Sequence, residues 1–305
     1  MNKVANKEYK IIGKVESINK GQAFCNMTFI LEDDSRVNVK IDDFDYSNIY
    51  VGRVYQIEVI GVMKNDDVVL KIKSSKPIEE VYSDLELENV CMKFYKYAPI
   101  QMSILQKEIE KRIGQIVNPI IKEITNSIYD KNKNSFYTHP AGTKFHHAYV
   151  GGLGHHTLTM LKLADPYVEI YPFLNKDLIY AGIILHDMGK LKEITGVDGE
   201  YTTEGQLLGH LVIEVVDINL EASKLGYENS EEAMLLKHMI ISHHGQYNFG
   251  SPKKPMTAEA MLLWYIDSID SKLTALGDEL VNTNNGEWTT MINMLDKMKF
   301  YKPKL

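Results

Sequence analysis

Cysteine is nearly absent: Cys25 and Cys91 are the only two in 305 residues. Two thiols cannot build a disulfide framework, so a reducing cytoplasm is the expected setting. Long apolar runs are missing as well. The longest uncharged ones, such as 179–185, fall far short of the roughly 20 residues that a membrane span needs. The opening residues MNKVANKEYK lack the apolar stretch of a signal peptide, which leads to the same expectation. Basic charge is in deficit, with 34 Lys+Arg against 41 Asp+Glu and a net charge of −7. That balance argues mildly against a nucleic-acid partner, because phosphate contacts want Lys and Arg. The average hides an uneven distribution, however. Residues 1–76 hold 12 basic and 11 acidic side chains, and the tail carries Lys297, Lys299, Lys302 and Lys304. Charge alone decides nothing.

What is present is ordinary globular composition, 44% apolar and 25% charged, over a length that suggests about two domains. Histidine is the exception. All ten lie between His139 and His244, with none in the first 138 residues or the last 61. Histidines scattered over core and surface would not crowd into a third of the chain, so a site is expected there.

The periodicity changes once along the chain. From Tyr9 to about Lys76, short runs such as IIGKVESI, RVNVKI and VYQIEVIGVM alternate with period two. Turn residues including Asn65-Asp66 separate them. Five such strands in about 70 residues predict an all-β, OB-like five-stranded barrel, a fold that often binds single-stranded nucleic acid. Phe24, Phe29, Tyr46 and Tyr55 are candidate stacking platforms, with filling of the barrel core as the competing role. The stretch 74–80, which contains Pro77, reads as a linker. Beyond Tyr82 the period becomes helical. Ile104, Ile109, Ile113, Ile116, Ile120, Ile121 and Ile124 recur at three- and four-residue steps. Further helices are expected over 153–165, 177–190, 207–224, 230–242 and 256–276, with boundaries or kinks at Pro119 and Pro140. The second domain is therefore expected to be an all-α bundle.

Chemistry concentrates at His186-Asp187, beside the apolar run 179–185. An imidazole and a carboxylate at the edge of a buried helix are costly unless paired or metal-bound. His155-His156, His210, His243-His244 and Asp267 fall on the neighbouring predicted helices. Imidazole with carboxylate suits Mn, Fe, Co or Zn rather than Ca, and ligands from several helices can converge inside one bundle.

The order His156, His186-Asp187, His210, His243-His244, Asp267 resembles the two-metal variety of the HD superfamily of metal-dependent phosphohydrolases. The run Phe145-His146-His147-Ala148-Tyr149-Val150-Gly151-Gly152-Leu153, then His156-Thr157-Leu158, is similar to the YhaM-type 3′-5′ exoribonucleases. So are Leu185-His186-Asp187-Met188-Gly189-Lys190, Gly209-His210, Ser242-His243-His244-Gly245 and Tyr265-Ile266-Asp267. That family joins an OB-like domain to an HD domain. The implied division is 1–76 for the barrel, 77–140 for a linker and connecting helices, and 141–305 for the HD domain.

The resemblance implies a role for each residue. His156, His186, Asp187 and Asp267 would hold one divalent ion. Asp187 would bridge to a second, held by His210, His243 and His244. His156 is preferred over His155 because Thr157-Leu158 follow it. Two such ions activate water for hydrolysis of a phosphodiester, releasing nucleoside 5′-monophosphates from an RNA 3′ end. Manganese is the implied metal, with Fe, Co and Zn left open. Lys190, one turn after His186, would join Asp187 as a catalytic residue by neutralising phosphoryl charge. His146, His147, Lys253 and Lys254 are candidate nucleic-acid contacts, with a solvated loop as the competing role for the lysines; His139 and His238 read as structural. Single-stranded RNA is the implied partner, while single-stranded DNA and a homo-oligomer stay open. Two rival readings are an HD phosphohydrolase of free or cyclic nucleotides, and a non-catalytic RNA-binding protein. The first is weakened because Gly245-Gln246-Tyr247 follows the histidine pair where cyclic-dinucleotide enzymes resemble His-His-Glu with a later Gly-Tyr-Pro.

Overall fold

The structure, a computed structural model, describes residues 3–21, 25–41, 44–143 and 147–305, with the side chains of Asp84, Leu85, Glu88 and Phe249 left aside. Two compact units divide it: Met1–Tyr97 with Gly196–Glu200, and Ala98–Thr195 with Tyr201–Leu305.

The first unit holds a closed barrel of β1 (Glu8–Lys20), β2 (Cys25–Ile30), β3 (Arg36–Lys40), β4 (Val54–Lys64) and β5 (Asp67–Pro77). The strand order is β1-β2-β3-β5-β4, with β3 and β5 parallel and the other pairs antiparallel. The period-two pattern explains the closure, since alternate residues such as Val37 and Val39, or Ile57 and Val59, turn inward to one core. β4 and β5 meet at Asn65-Asp66, both at positive φ, the backbone that a tight two-residue hairpin requires. The stretch 74–80 differs from its reading as a linker. Ser74 to Pro77 pair with Glu58 to Tyr55, and Ile78–Glu80 form a 3-10 turn. Pro77 is tolerated because it ends the strand, where a missing N–H costs least. Helix α1 (Asp84–Cys91) also lies in this unit.

The second unit is helical. It comprises α2 (Met102–Gly114), α3 (Pro119–Phe136), α4 (Gly152–Ile170), α5 (Lys176–Leu185), α6 (Lys190–Glu193), α7 (Thr203–Leu225), α8 (Glu231–Ser242) and α9 (Ala258–Val281). The isoleucine stripe is divided between two helices, with Ile116 in the connection between them. Asn118 caps α3 by accepting from the Ile121 amide, and Pro119 takes the first helical position. Ile104 itself is exposed, and the adjacent Leu105 fills the core in its place. Helix α5 is the centre of the bundle. Every residue from Asp177 to Leu185 is buried, which accounts for its uniformly apolar run. Among the described residues, no helix is long and apolar enough to cross a membrane.

Candidate metal centre

The end of α5 delivers His186 and Asp187 into the bundle, where both are buried. Around them come His156 from α4, His210 from α7, His243 and His244 from the end of α8, and Asp267 from α9. The helix packing that buries α5 thus brings together ligand-type atoms from five helices. Two glycines make the approach possible. Gly189 sits so close to α7 that an added Cβ would lie 2.4 Å from the His210 carbonyl oxygen. Gly209 interrupts α7 at φ 71 and ψ 155, a backbone reserved for glycine, and turns the chain into His210.

The two oxygens of Asp187 face different groups. Oδ2 lies 3.2 Å from His186 Nε2 and 3.9 Å from His156 Nε2. Oδ1 lies 3.5 Å from His210 Nε2 and 3.8 Å from His243 Nε2. Asp267 Oδ1 lies 3.4 Å from His156 Nε2 and so closes the first group. His156 Nε2 and His186 Nε2 face each other at 3.2 Å, as do His210 Nε2 and His244 Nε2 at 3.3 Å.

Four of these imidazoles have their other nitrogen occupied. The Nδ1–H of His186 donates to the Ile183 carbonyl, and that of His243 to Ile240, each at 2.7 Å. His210 Nδ1 donates to Glu193 at 2.9 Å, and His156 Nδ1 to Asp270 Oδ2 at 2.6 Å. With Nδ1 protonated, each ring in its neutral form carries its lone pair on Nε2, and all four Nε2 atoms aim at the space around Asp187. This is how protein matrices fix histidines as metal ligands. Asp187 Oδ1 and His243 Nε2 are buried without a hydrogen-bond partner among the described residues, a costly state that a cation between them relieves. The residues therefore fit divalent ions.

The electrostatics agree. Burial alone would raise the Asp187 carboxyl, yet Lys190, His186 and His210 hold it well below the usual carboxylate range. Burial, then His244 and His186, keep His243 neutral and so in its ligand form. His156 behaves differently. Burial pushes it down, but Asp267 and Asp270 bring it up to about 9, so a cation binding there would displace a proton. Lys190 places its ammonium 2.6 Å from Asp187 Oδ2, which orients it into the site instead of towards solvent.

The neighbouring histidines do other work. His155 Nδ1 meets the Tyr149 hydroxyl at 2.7 Å, and that hydroxyl is 2.6 Å from His147 Nδ1. His147 Nε2 then donates to Asp270 Oδ2 at 2.8 Å. His147 is buried in this network, so the structure gives it no surface to offer RNA. His139 donates to the Lys190 carbonyl, and His238 accepts from the Met256 amide.

Several candidate nucleic-acid contacts move. Phe29 and Tyr55 are buried in the barrel core, where no base can stack on them, because the inward face of each strand is filled before the surface is served. Tyr46 is half-buried against that core. Lys253 and Lys254 are exposed and do not line the cavity beside the metal centre. Phe24 and His146 lie outside the described residues. Sequence reading missed Glu193 and Asp270, the two carboxylates that orient ligand histidines. Asp270 had a signal, standing three residues after Asp267 on the same helix face.

The HD domain family matches residues 153–272. The chain is 41% identical to the 3′-5′ exoribonuclease YhaM of Bacillus subtilis over 77% of its length and 73% of that protein. It is 37% identical to the 3′-5′ exoribonuclease YhaM of Geobacillus over 95% of its length and 90% of that protein. With the protein of the same name from Bacillus licheniformis the identity is 42%, over 77% of the chain and 73% of that relative. No solved structure gives a significant match. The centre on Asp187 stands inside the matched segment, and the chain belongs to the YhaM-type 3′-5′ exoribonuclease family of HD-domain hydrolases.

Proposed function

We propose that this chain hydrolyses single-stranded RNA from the 3′ end, releasing nucleoside 5′-monophosphates, with two divalent ions held about Asp187. The observation that carries this reading is the division of the Asp187 carboxylate, one oxygen facing His156 and His186, the other His210 and His243. His156, His186, Asp187 and Asp267 would hold the first ion, and Asp187, His210, His243 and His244 the second. When bound, such a pair lowers the pKa of water and stabilises both attacking and leaving oxygens of an in-line displacement.

The chain's own residues supply the rest. The Nδ1 partners of His156, His186, His210 and His243 keep each ring in one tautomer and orientation. Lys190, held by Asp187, offers positive charge to the phosphoryl oxygens as negative charge builds on them. Residues 1–76 are taken as the strand-binding domain, 77–140 as the connection and 141–305 as the catalytic domain. Manganese is the metal we favour, with Fe, Co and Zn compatible with the same donors. Single-stranded DNA enters as a second substrate. The free thiols Cys25 and Cys91 suit a cytoplasmic location. Beyond the break at Gly209, helix α7 exposes Val212, Val216 and Leu220 at four-residue intervals, which supports self-association, testable by light scattering.

One experiment tests the central reading. A 5′-labelled single-stranded RNA is incubated with the full chain, with manganese added or chelated. The expected result is a ladder that shortens from the 3′ end and mononucleotide product, both dependent on metal. Folded, metal-loaded protein that leaves the RNA intact overturns the reading.

A further inference from the structure

Helix α9 carries more than a metal ligand. Trp264, Asp267, Ser268, Ser271 and Lys272 share one of its faces by their three- and four-residue spacing. That face lines a cavity of about 380 Å³, which Asp187, Lys190 and His244 also line. Met294, from a segment after the last helix, lines it as well. That segment is a hairpin, bridged at Trp288–Tyr301 and Ile292–Met298, with Ile292 and Leu295 buried beneath it. The Lys302 ammonium fastens it to α9 by donating to the carbonyls of Leu280 and Thr283, each at 2.7 Å.

The cavity has the size of a small-ligand site, and its lining is graded. The ligand-type carboxylates and Lys190 suit a phosphate. The thioether of Met294 offers an apolar surface for a flat ring. Along α9, on the side of Asp267 away from Trp264, stand polar groups that nothing else uses. Ser268 Oγ and Lys272 Nζ have no hydrogen-bond or ion-pair partner among the described residues. Ser271 donates to Asp267 Oδ1 at 3.2 Å, which leaves its oxygen able to accept. By the helical rise, Lys272 begins about 7.5 Å along the axis from Asp267. A phosphate held beside Asp267 would leave its sugar within side-chain reach of Lys272.

We propose that this cavity binds the last nucleoside of the strand, and that Ser268, Ser271 and Lys272 recognise its 2′,3′-diol. The inference rests on the exonuclease reading and adds a reason for acting at that end. A terminal ribose presents two hydroxyls to these groups, whereas an internal ribose has its 3′ oxygen esterified. A site built to hydrogen-bond a hydroxyl discriminates against the analogue that lacks it, because its own polar groups are then left unpaired.

The test compares two RNAs of one sequence, one ending in an ordinary ribonucleotide, the other in a 2′,3′-dideoxynucleotide. The manganese-loaded full chain should degrade the first about tenfold better in kcat/KM, the order of effect of a lost hydrogen bond. In Lys272→Ala and Ser268→Ala that ratio should fall towards one, mainly through KM. A ratio that persists in both variants, or no preference in the parent chain, overturns the proposal. Calorimetry of the metal-loaded chain with AMP and with 2′,3′-dideoxy-AMP separates the two readings. Preference for AMP that is lost in Lys272→Ala supports the diol site even where RNA is left uncut. Equal binding of the two nucleotides refutes it even where RNA is trimmed.

Discussion

Asp270 Oδ2 accepts from Nδ1 of His156 at 2.6 Å, and the same oxygen accepts from Nε2 of His147 at 2.8 Å. One buried carboxylate therefore fixes the tautomer of His156 and ties it to the Tyr149–His155 pair behind. The two hydrogen bonds hold Asp270 ionised against the opposing effect of burial. Replacing this carboxylate with an amide, Asp270→Asn, keeps its shape but removes the charge that orients His156. Metal affinity should drop about 10–100-fold, the usual cost of losing such a partner. Competition against a chelating dye reads this directly, and unchanged affinity would make Asp270 a packing residue only.

Asp187→Ala removes the one carboxylate that both groups share. Hydrolysis of RNA should fall by at least ~10²-fold, since the change takes away ligand and charge together. Binding of RNA should be largely preserved. Gel-shift and turnover assays on the same preparation separate the two effects. Equal loss of binding would mean that the cluster holds the substrate or the fold, not the reaction.

The barrel was legible because period two survives in its strands, and the histidine–carboxylate cluster was legible because histidine is confined to one third of the chain. Phe29 and Tyr55 take the competing role, core filling, because they lie on the inward phase of the alternation. Glu193 and Asp270 were hidden. A carboxylate that orients a histidine looks like any helical surface charge until the fold places it 2.9 Å from His210 or 2.6 Å from His156. The break in the isoleucine stripe was legible at Pro119, whereas the cap at Asn118 that sets it appears only in the structure. Nothing periodic announces the hairpin that brings Met294 to the cavity.

Gly189 joins the two halves of the centre, since its α-carbon abuts the peptide of His210. Gly189→Ala forces backbone apart, with no flexible side chain to yield. Overpacking of this kind costs about 1–3 kcal/mol, or roughly 2–10 °C in Tm for a unit of this size. Activity should fall further than stability accounts for, because His210 moves away from Asp187. Thermal melts beside turnover measured well below Tm would show this. Full activity in a destabilised variant would mean the close approach serves packing alone.

Acid should weaken the metal-free chain before its carboxylates titrate. Burial pushes the imidazole of His139 from its ordinary 6.5 down to about 4. His155 falls to about 4 too, through burial and then the neighbouring His147. Between those values the unfolded chain binds protons that the folded chain refuses, so stability drops as pH falls through this window. Asp187, Asp267 and Asp270 are held low in the folded state, and their contribution is lost only below about 4, where unfolded carboxylates protonate. His156 works at the other side: raised to about 9, its contribution is fully present below 6.5 and disappears as pH rises towards 9. In the interval from 6.5 to 4 the buried neutral histidines are opposed by Glu214, whose carboxyl burial raises well above the usual range and whose contribution grows as pH falls. Tm measured in EDTA should decline across it, and His139→Gln, which keeps a donor for the Lys190 carbonyl but does not titrate, should flatten the decline. An identical slope in that variant would move the effect to His155 and its neighbours.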